Sequence, residues 1–378
     1  MRGYHVGRVW GIPIRIHISL LIVLPIFAWL LGSGAQLELY AALVNGVAGT
    51  TIDPAALQTG NLPWIIGGLA AVGLFVSVTL HELGHAYMAL RYDLEVESIT
   101  LWILGGLASL GQIPKEWKKE FWIAIAGPVV SVLVGVLCIG SLFVLPELGQ
   151  PVTFLVGWIG VTNVILAVFN MLPAFPMDGG RVLRSLLARN RPYGKATQIA
   201  SRIGSGFALL FAVVGVLNFS PMLLILAVFI YGAATTESRA VLLGELLDGI
   251  TVGELAGDAS ETVPASTSVT ELVDRMFADR KTSFVVTRGG DPVGIVTVAD
   301  FKRLSPEDRA STTVGDLMTS DLPELDWTTP AFDALVALDS RRASAAFVNG
   351  PGGRQIISRT DFTDALEMRR LLGTGEPL

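Results

Sequence analysis

"WIIGGLAAVGLFVSVTLHELGHAYMAL" (Trp64–Leu90) runs from an apolar stretch straight into His81-Glu82-Leu83-Gly84-His85. A helix needs about 20 apolar residues to cross the hydrocarbon core of a bilayer. This one is long enough, and it places three ionisable side chains where water is scarce. Unpartnered, such groups are costly at membrane depth, so function is their default reading. His81 and His85 stand four apart, one turn from each other on one helix face, with Glu82 beside His81. Two imidazoles in this arrangement can bind zinc while the glutamate acts as base on a metal-bound water. Gly84 either opens access to the backbone at the site or lets a second helix pack closely.

The whole chain agrees with a membrane setting. Of its 378 residues 51% are hydrophobic and only 16% charged, and the mean hydropathy is +0.58, whereas soluble domains carry about 25% charged residues. A formal net charge of -6 gives no support for a nucleic-acid partner. Cys138, the only cysteine, excludes an intramolecular disulfide and a cysteine-based zinc knuckle.

Six spans are expected. Ile16–Leu31 is a short first one; it resembles a signal peptide but lacks a cleavage motif and reads as a retained span. The second ends near Leu90. The third is Phe121–Pro146, and the fourth runs from Val152 to about Leu172. Residues 203–236 carry no charge, yet as one helix they would be about 50 Å long. The turn-like "LNFSPM" (Leu217–Met222) therefore splits a fifth span, starting near Thr197, from a sixth. Arg2, Arg8 and Arg15 precede span one. Arg91, Lys115, Lys118 and Lys119 follow span two, and Arg181, Arg184, Arg189, Arg191 and Lys195 follow span four. Glu38, Asp53 and Glu147 occupy the alternate loops. By the positive-inside rule both termini come out cytoplasmic. Between spans two and three, "LEVESITLWILGGLASLG" reads as strand, either a re-entrant hairpin beside the site or a simple loop.

A catalytic zinc needs a third protein ligand and an open position. His5 and His17 lie before or at span one; His17 is an interfacial residue or lines the cleft. Asp178 is the better candidate. It ends a long uncharged run, in "NVILAVFNMLPAFPMDGGRVLRSLL" (Asn163–Leu187), on the side that His81 and His85 reach. The alternative is that it caps the following helix. Asn170 could aim an amide at a developing oxyanion or make a helix–helix hydrogen bond; Asn163 reads as the latter. The chemistry that follows is peptide hydrolysis, with Glu82 moving the proton of the attacking water to the leaving amine. A membrane-embedded substrate would have to unwind, and an edge strand such as Ile99–Leu101 or Leu107–Leu110 could hold it extended.

After about Arg239 the composition turns soluble and repeats itself. "TVGEL" at Thr251 returns as "TVGDL" at Thr313, "TSFVV" at Thr282 as "SAAFV" at Ser344, and "GIVTVADF" at Gly294 as "QIISRTDF" at Gln355. Neither copy can bury a sound core alone, so the two should pair into one α/β module. The expected domains are 1–240, six helices with a short β segment, and 241–378, with repeats at about 251–310 and 313–371.

"HELGH" (His81–His85) and "NMLPAFPMDGGR" (Asn170–Arg181), in this order and on one side, resemble the site-2 protease family of intramembrane zinc metalloproteases. The resemblance covers roughly Ile12 to Arg239. It implies one zinc per chain held by His81, His85 and Asp178, with Glu82 as catalytic base. It also implies that Asn170 positions substrate or intermediate, and that the substrates are transmembrane proteins in the lipid bilayer of the cell membrane. The tail is similar to a tandem cystathionine-β-synthase (CBS) pair. In that family the matching Thr297 with Asp300, and Ser358 with Asp361, contact adenosine ribose or phosphate. An adenine nucleotide is thus its implied ligand, regulation its implied role and a homodimer its candidate assembly. Each Asp could equally cap the helix that follows it. Two rival readings are a CBS-regulated transporter or channel, which would spread polar residues over several spans, and a silent scaffold, which would lack one of the four site residues.

Overall fold

The computed structural model describes residues 3–33, 35–102, 105–110, 114, 116–145, 148–256, 262–304, 311–351 and 353–371. Arg2, Lys115, Pro146 and Glu147, which bear on the spans and the charge pattern, lie outside them. The chain divides into two compact units, Met1–Arg239 and Ala240–Leu378.

The first unit opens with β1 (Gly3–Val9) and β2 (Ile12–His17), then α1 (Ile18–Gly32), α2 (Ala35–Ala48), α3 (Pro54–Leu57) and α4 (Leu62–Arg91). A hairpin, β3 (Val96–Trp102) and β4 (Gly105–Leu110), precedes α5 (Trp117–Val144), α6 (Gln150–Asn170), α7 (Asp178–Ala188), α8 (Tyr193–Leu217) and α9 (Pro221–Leu246). Helices α4, α5, α6, α8 and α9 are each long and apolar enough to cross a membrane, and the bent pair α1–α2 could supply a sixth crossing. The uncharged run at 203–236 does break, between Leu217 and Pro221.

Two expectations near the start need correction. The residues leading into span one form a β-hairpin, turned at Trp10 and Gly11, both with positive φ, as a two-residue hairpin turn demands. Ile12, Ile14 and Ile16 alternate with Pro13, Arg15 and His17, the period of a strand. Helix α1 therefore starts only at Ile18. His17 caps it, its Nδ1 accepting from the Ser19 backbone N–H at 3.2 Å. The long loop before span two is largely helical. On α2, Leu37, Ala41, Val44 and Ala48 recur at helical spacing and pack with Phe154 and Trp158 of α6.

The four strands form one sheet in the order β1-β2-β3-β4. Strand β3 is interior: Ile99–Leu101 pairs in parallel with Ile14–Ile16 on one side and antiparallel with Gly106–Ala108 on the other. Ile99–Leu101 thus cannot receive a substrate strand, and β4 is the edge.

The second unit is built from α10 (Val252–Leu255), β5 (Thr262–Pro264), α11 (Val269–Asp279), β6 (Ser283–Arg288) and β7 (Asp291–Thr297). The second copy is α12 (Val314–Leu317), β8 (Glu324–Asp326), α13 (Ala331–Ser340), β9 (Ala345–Gly350), β10 (Gly353–Ser358) and α14 (Arg359–Leu371). Each copy carries a three-stranded sheet of the same pattern. In the first copy a 3-10 turn, Asp300–Arg303, follows β7. The copies also exchange their opening helices. Val252 and Ala256 sit in the core with Ala334, Leu338 and Val348, whereas Val314 and Leu317 join Val263, Leu272 and Phe284. The Val252 N–H donates to the Thr329 carbonyl at 2.8 Å, and the Val314 N–H to Thr267 at 2.9 Å. Each core is completed by the other repeat.

Candidate metal centre

Three side chains from two distant segments converge in the first unit. His81 Nε2 lies 3.1 Å from His85 Nε2 and 3.1 Å from Asp178 Oδ2, and His85 Nε2 lies 3.3 Å from the same oxygen. At the usual zinc–ligand distance of about 2.0–2.1 Å, neighbouring ligands of a tetrahedral ion stand about 3.3 Å apart. The triangle has the dimensions of one face of such a site. All three residues are buried.

The far side of each ring is anchored by α5. His85 donates its Nδ1–H to the Ile123 carbonyl at 2.7 Å. A carbonyl only accepts, so the proton of the neutral ring is on Nδ1 and Nε2 offers a lone pair. His81 Nδ1 lies 2.9 Å from Ser131 Oγ. Hydrogen bonds of this kind from the outer ring nitrogen orient metal-binding imidazoles. Two ring nitrogens and a carboxylate oxygen facing one point call for a cation there. Gly127 leaves the space for it: a methyl group at this position would run into both Nε2 atoms. Gly84 packs against Ala126 and Val130 of α5, which settles it as a helix-packing glycine.

The Asp178 carboxylate turns toward the imidazoles although its residue opens α7. Glu82, 8% exposed, makes no side-chain hydrogen bond among the described residues, and the backbone of β4 passes beside its carboxylate at Gly106. Asn163 and Asn170 separate cleanly. Asn163 Nδ2 donates to Ser77 Oγ on α4 and to the Ile159 carbonyl, both at 2.8 Å, which is the helix–helix role expected of it. Asn170, half-buried at the end of α6, makes no side-chain hydrogen bond among the described residues.

Sequence comparison agrees with this geometry. The model of peptidase family M50 matches residues 69–150 and 147–212, and the CBS domain model matches 252–307. A zinc metalloprotease of Methanocaldococcus jannaschii is 30% identical over 78% of this chain and 78% of its own length. The chain belongs to peptidase family M50. A Synechocystis protein whose name includes zinc metalloprotease is 29% identical over 93% of this chain and 91% of its own length. The solved site-2 protease of M. jannaschii is 33% identical, covering 63% of this chain and 96% of that one with a TM-score of 0.42. By its family the protein is a zinc metalloprotease, a membrane protein with a CBS-like tail. M50 membership sets the transporter or channel reading aside.

What the sequence did not show was the support around this candidate centre: Ile123, Gly127 and Ser131 of α5. Their signal carries no meaning until the facing helix is known. Ser131 and the Gly127-Pro128 pair interrupt an otherwise apolar run at the spacing of one helix face.

In the tail, a cleft of about 250 Å³ is lined by residues of both repeats, among them Ser283, Thr297, Ser344, Ser358 and Thr360. Asp300 Oδ2 accepts from the N–H and the hydroxyl of Thr297, each at 2.8 Å. Asp361 Oδ2 accepts from the Ser358 N–H and hydroxyl at 2.6 and 2.9 Å. Thr297 and Ser358 therefore border the cleft, and each Asp ties the strand end to the turn that follows. Burial pushes the Asp361 carboxyl above its ordinary range, against the pull of those two hydrogen bonds.

Proposed function

We propose that the chain is an intramembrane endopeptidase that cuts peptide bonds within or near transmembrane segments, with His81, His85 and Asp178 as its zinc ligands. The observation that carries this reading is the tetrahedral-face spacing of the three ligand atoms, with both outer ring nitrogens held by α5. Zinc bound there supplies Lewis acidity and a water of lowered pKa. Glu82 takes the proton of the attacking water on its carboxylate, which has no hydrogen-bond partner among the described residues, and returns it to the leaving nitrogen. Asn170, its amide likewise without one, positions the substrate or the intermediate.

The substrate must be unwound before its backbone can be reached. The backbone of β4 passes beside Glu82 at Gly106, and β4, last in the sheet order, can hold an extended segment by strand addition. The β3–β4 hairpin then acts as a re-entrant element, non-helical backbone tolerated at membrane depth because it lines the site. His85 and His81 stand 6 and 10 residues before Arg91, the last residue of α4, hence about 9 and 15 Å along the helix. With Arg91 at the cytoplasmic interface, the site lies just inside the lipid, and the termini and the CBS unit are cytoplasmic.

Chelator treatment of the purified full-length protein is expected to remove about one zinc per chain and all cleavage of a reconstituted transmembrane peptide; added zinc restores both. Cleavage that survives complete loss of metal would end the reading.

The CBS pair, domain 241–378, serves as a nucleotide-sensing regulator. The hydroxyls of Thr297 and Ser358 line the cleft; with their protons given to Asp300 and Asp361, their oxygens keep lone pairs that suit the hydroxyl groups of a ribose. Titration of the full-length protein with a fluorescent adenine nucleotide should saturate, and Thr297→Val should weaken binding about 10-fold, the loss of one hydrogen bond to a charged or polar group. A flat titration refutes the sensing role.

A further inference from the structure

Helix α7 carries a second buried charge six residues beyond Asp178. Arg184, counted above among cytoplasmic loop charges, is only 1% exposed. Its Nε and Nη2 donate to Glu120 Oε1 of α5 at 2.7 and 2.5 Å, and its Nη1 donates to Glu237 Oε1 of α9 at 2.5 Å. The guanidinium also lies over the ring of Phe175, 5.0 Å from its centroid. Phe175 belongs to the loop that delivers Asp178, so one side chain of α7 reaches α5, α9 and the segment leading into its own helix.

Stability alone is a weak reason for such a cluster. Desolvation of buried charges rivals their attraction, and well-packed apolar residues often serve as well; fixing one register is the better-attested use. The position of Glu120 says which register. Glu120, Ile123, Gly127 and Ser131 follow one another at i, i+3, i+7 and i+11, along one face of α5. The Ile123 carbonyl and the Ser131 hydroxyl hold the two imidazoles, and Gly127 leaves the gap between them. The same face thus holds the histidines directly and, through Glu120 and Arg184, the helix that bears the third ligand.

We propose that Arg184 is a positioning residue for the metal centre. It locks α7 to α5 so that Asp178 meets the ion held by His81 and His85. This rests on the zinc reading above. Metal sites tolerate ligand displacements of only about 0.2 Å, and a slide of α7 along α5 exceeds that readily. Arginine suits the task because its rigid fork engages two carboxylates at once, which the single ammonium of lysine does not.

The test compares the full-length protein with its Arg184→Met and Arg184→Lys variants. It reads zinc affinity by chelator competition, the visible bands of the cobalt(II)-substituted protein, and Tm. Arg184→Met is expected to weaken zinc binding about 10–100-fold, as loss of a supporting partner does, and to alter the cobalt bands. Arg184→Lys should recover part of both. A Met variant with wild-type zinc affinity and cobalt bands, whatever its Tm, overturns the proposal, since the cluster then serves the fold alone. Should that variant fail to accumulate, Glu120→Gln, which leaves Arg184 its Glu237 partner, is judged by the same two readouts. A wild-type protein that binds no zinc would instead strike the metal assignment itself, so the two failures are distinguishable.

Discussion

Glu82→Gln is expected to leave the protein with its zinc and without its cleavage. The three atoms that could hold the ion belong to His81, His85 and Asp178, and Glu82 adds none. Replacing its carboxylate by an amide of the same shape leaves their triangle intact. The amide cannot take a proton, and a positioned general base contributes about 10²–10⁴-fold. A loss of that size in cleavage of a model transmembrane peptide, with about one zinc per chain by metal analysis, is the anticipated outcome. Unchanged cleavage would remove Glu82 from the chemistry. Loss of zinc along with activity would show that its carboxylate supports the ligands instead. The silent-scaffold alternative meets the same assay through the wild type, which must cut.

The centre was legible in the sequence because its residues violate their surroundings. Charged or ionisable groups in an apolar run are conspicuous one by one, and spacing alone puts His81 and His85 on one helix face. Asp178 stood out in the same way at the end of an uncharged run. Ser131 and Gly127 did not, since neither is costly in a membrane helix and their meaning depends on which helix faces them. Arg184 was misread for a related reason. Counted as a loop charge, it fitted the positive-inside pattern, and its burial is only possible because Glu120, 64 residues earlier, meets it in space.

The start of the chain shows a different limit. Ile12–His17 alternates as a strand, but it adjoins the apolar α1, and a search for 20 apolar residues swallows it. Its partner strand β3 lies more than 80 residues away. Helix α2 carries its pattern openly at Leu37, Ala41, Val44 and Ala48, yet it is too short to cross a bilayer alone and so escaped a count of spans. In the tail, repetition was enough to expect mutual completion of two half-cores. The exchange of α10 and α12 could not be read, because the two copies are alike in this region and either pairing satisfies the pattern.

Gly127→Ala should cost the metal more severely than any change outside the ligands themselves. A methyl group there would stand 2.7 Å from His81 Nε2 and closer still to His85 Nε2. Neither ring has room to yield. Their outer nitrogens are fixed to Ser131 and to Ile123, both on the helix that would carry the methyl, so rotation away breaks those bonds as well. Zinc affinity is therefore expected to fall by more than about 100-fold, beyond the usual effect of losing an outer partner, and cleavage should vanish with it. Gly140 on the same helix supplies the comparison, since a methyl there meets nothing within 4 Å. Gly140→Ala should keep zinc and activity and gain about 0.5–1 kcal/mol of helix stability. If Gly127→Ala retained zinc at wild-type affinity while remaining folded, the space between the two imidazoles would not be where the ion sits. The triangle of ligand atoms would then have another explanation.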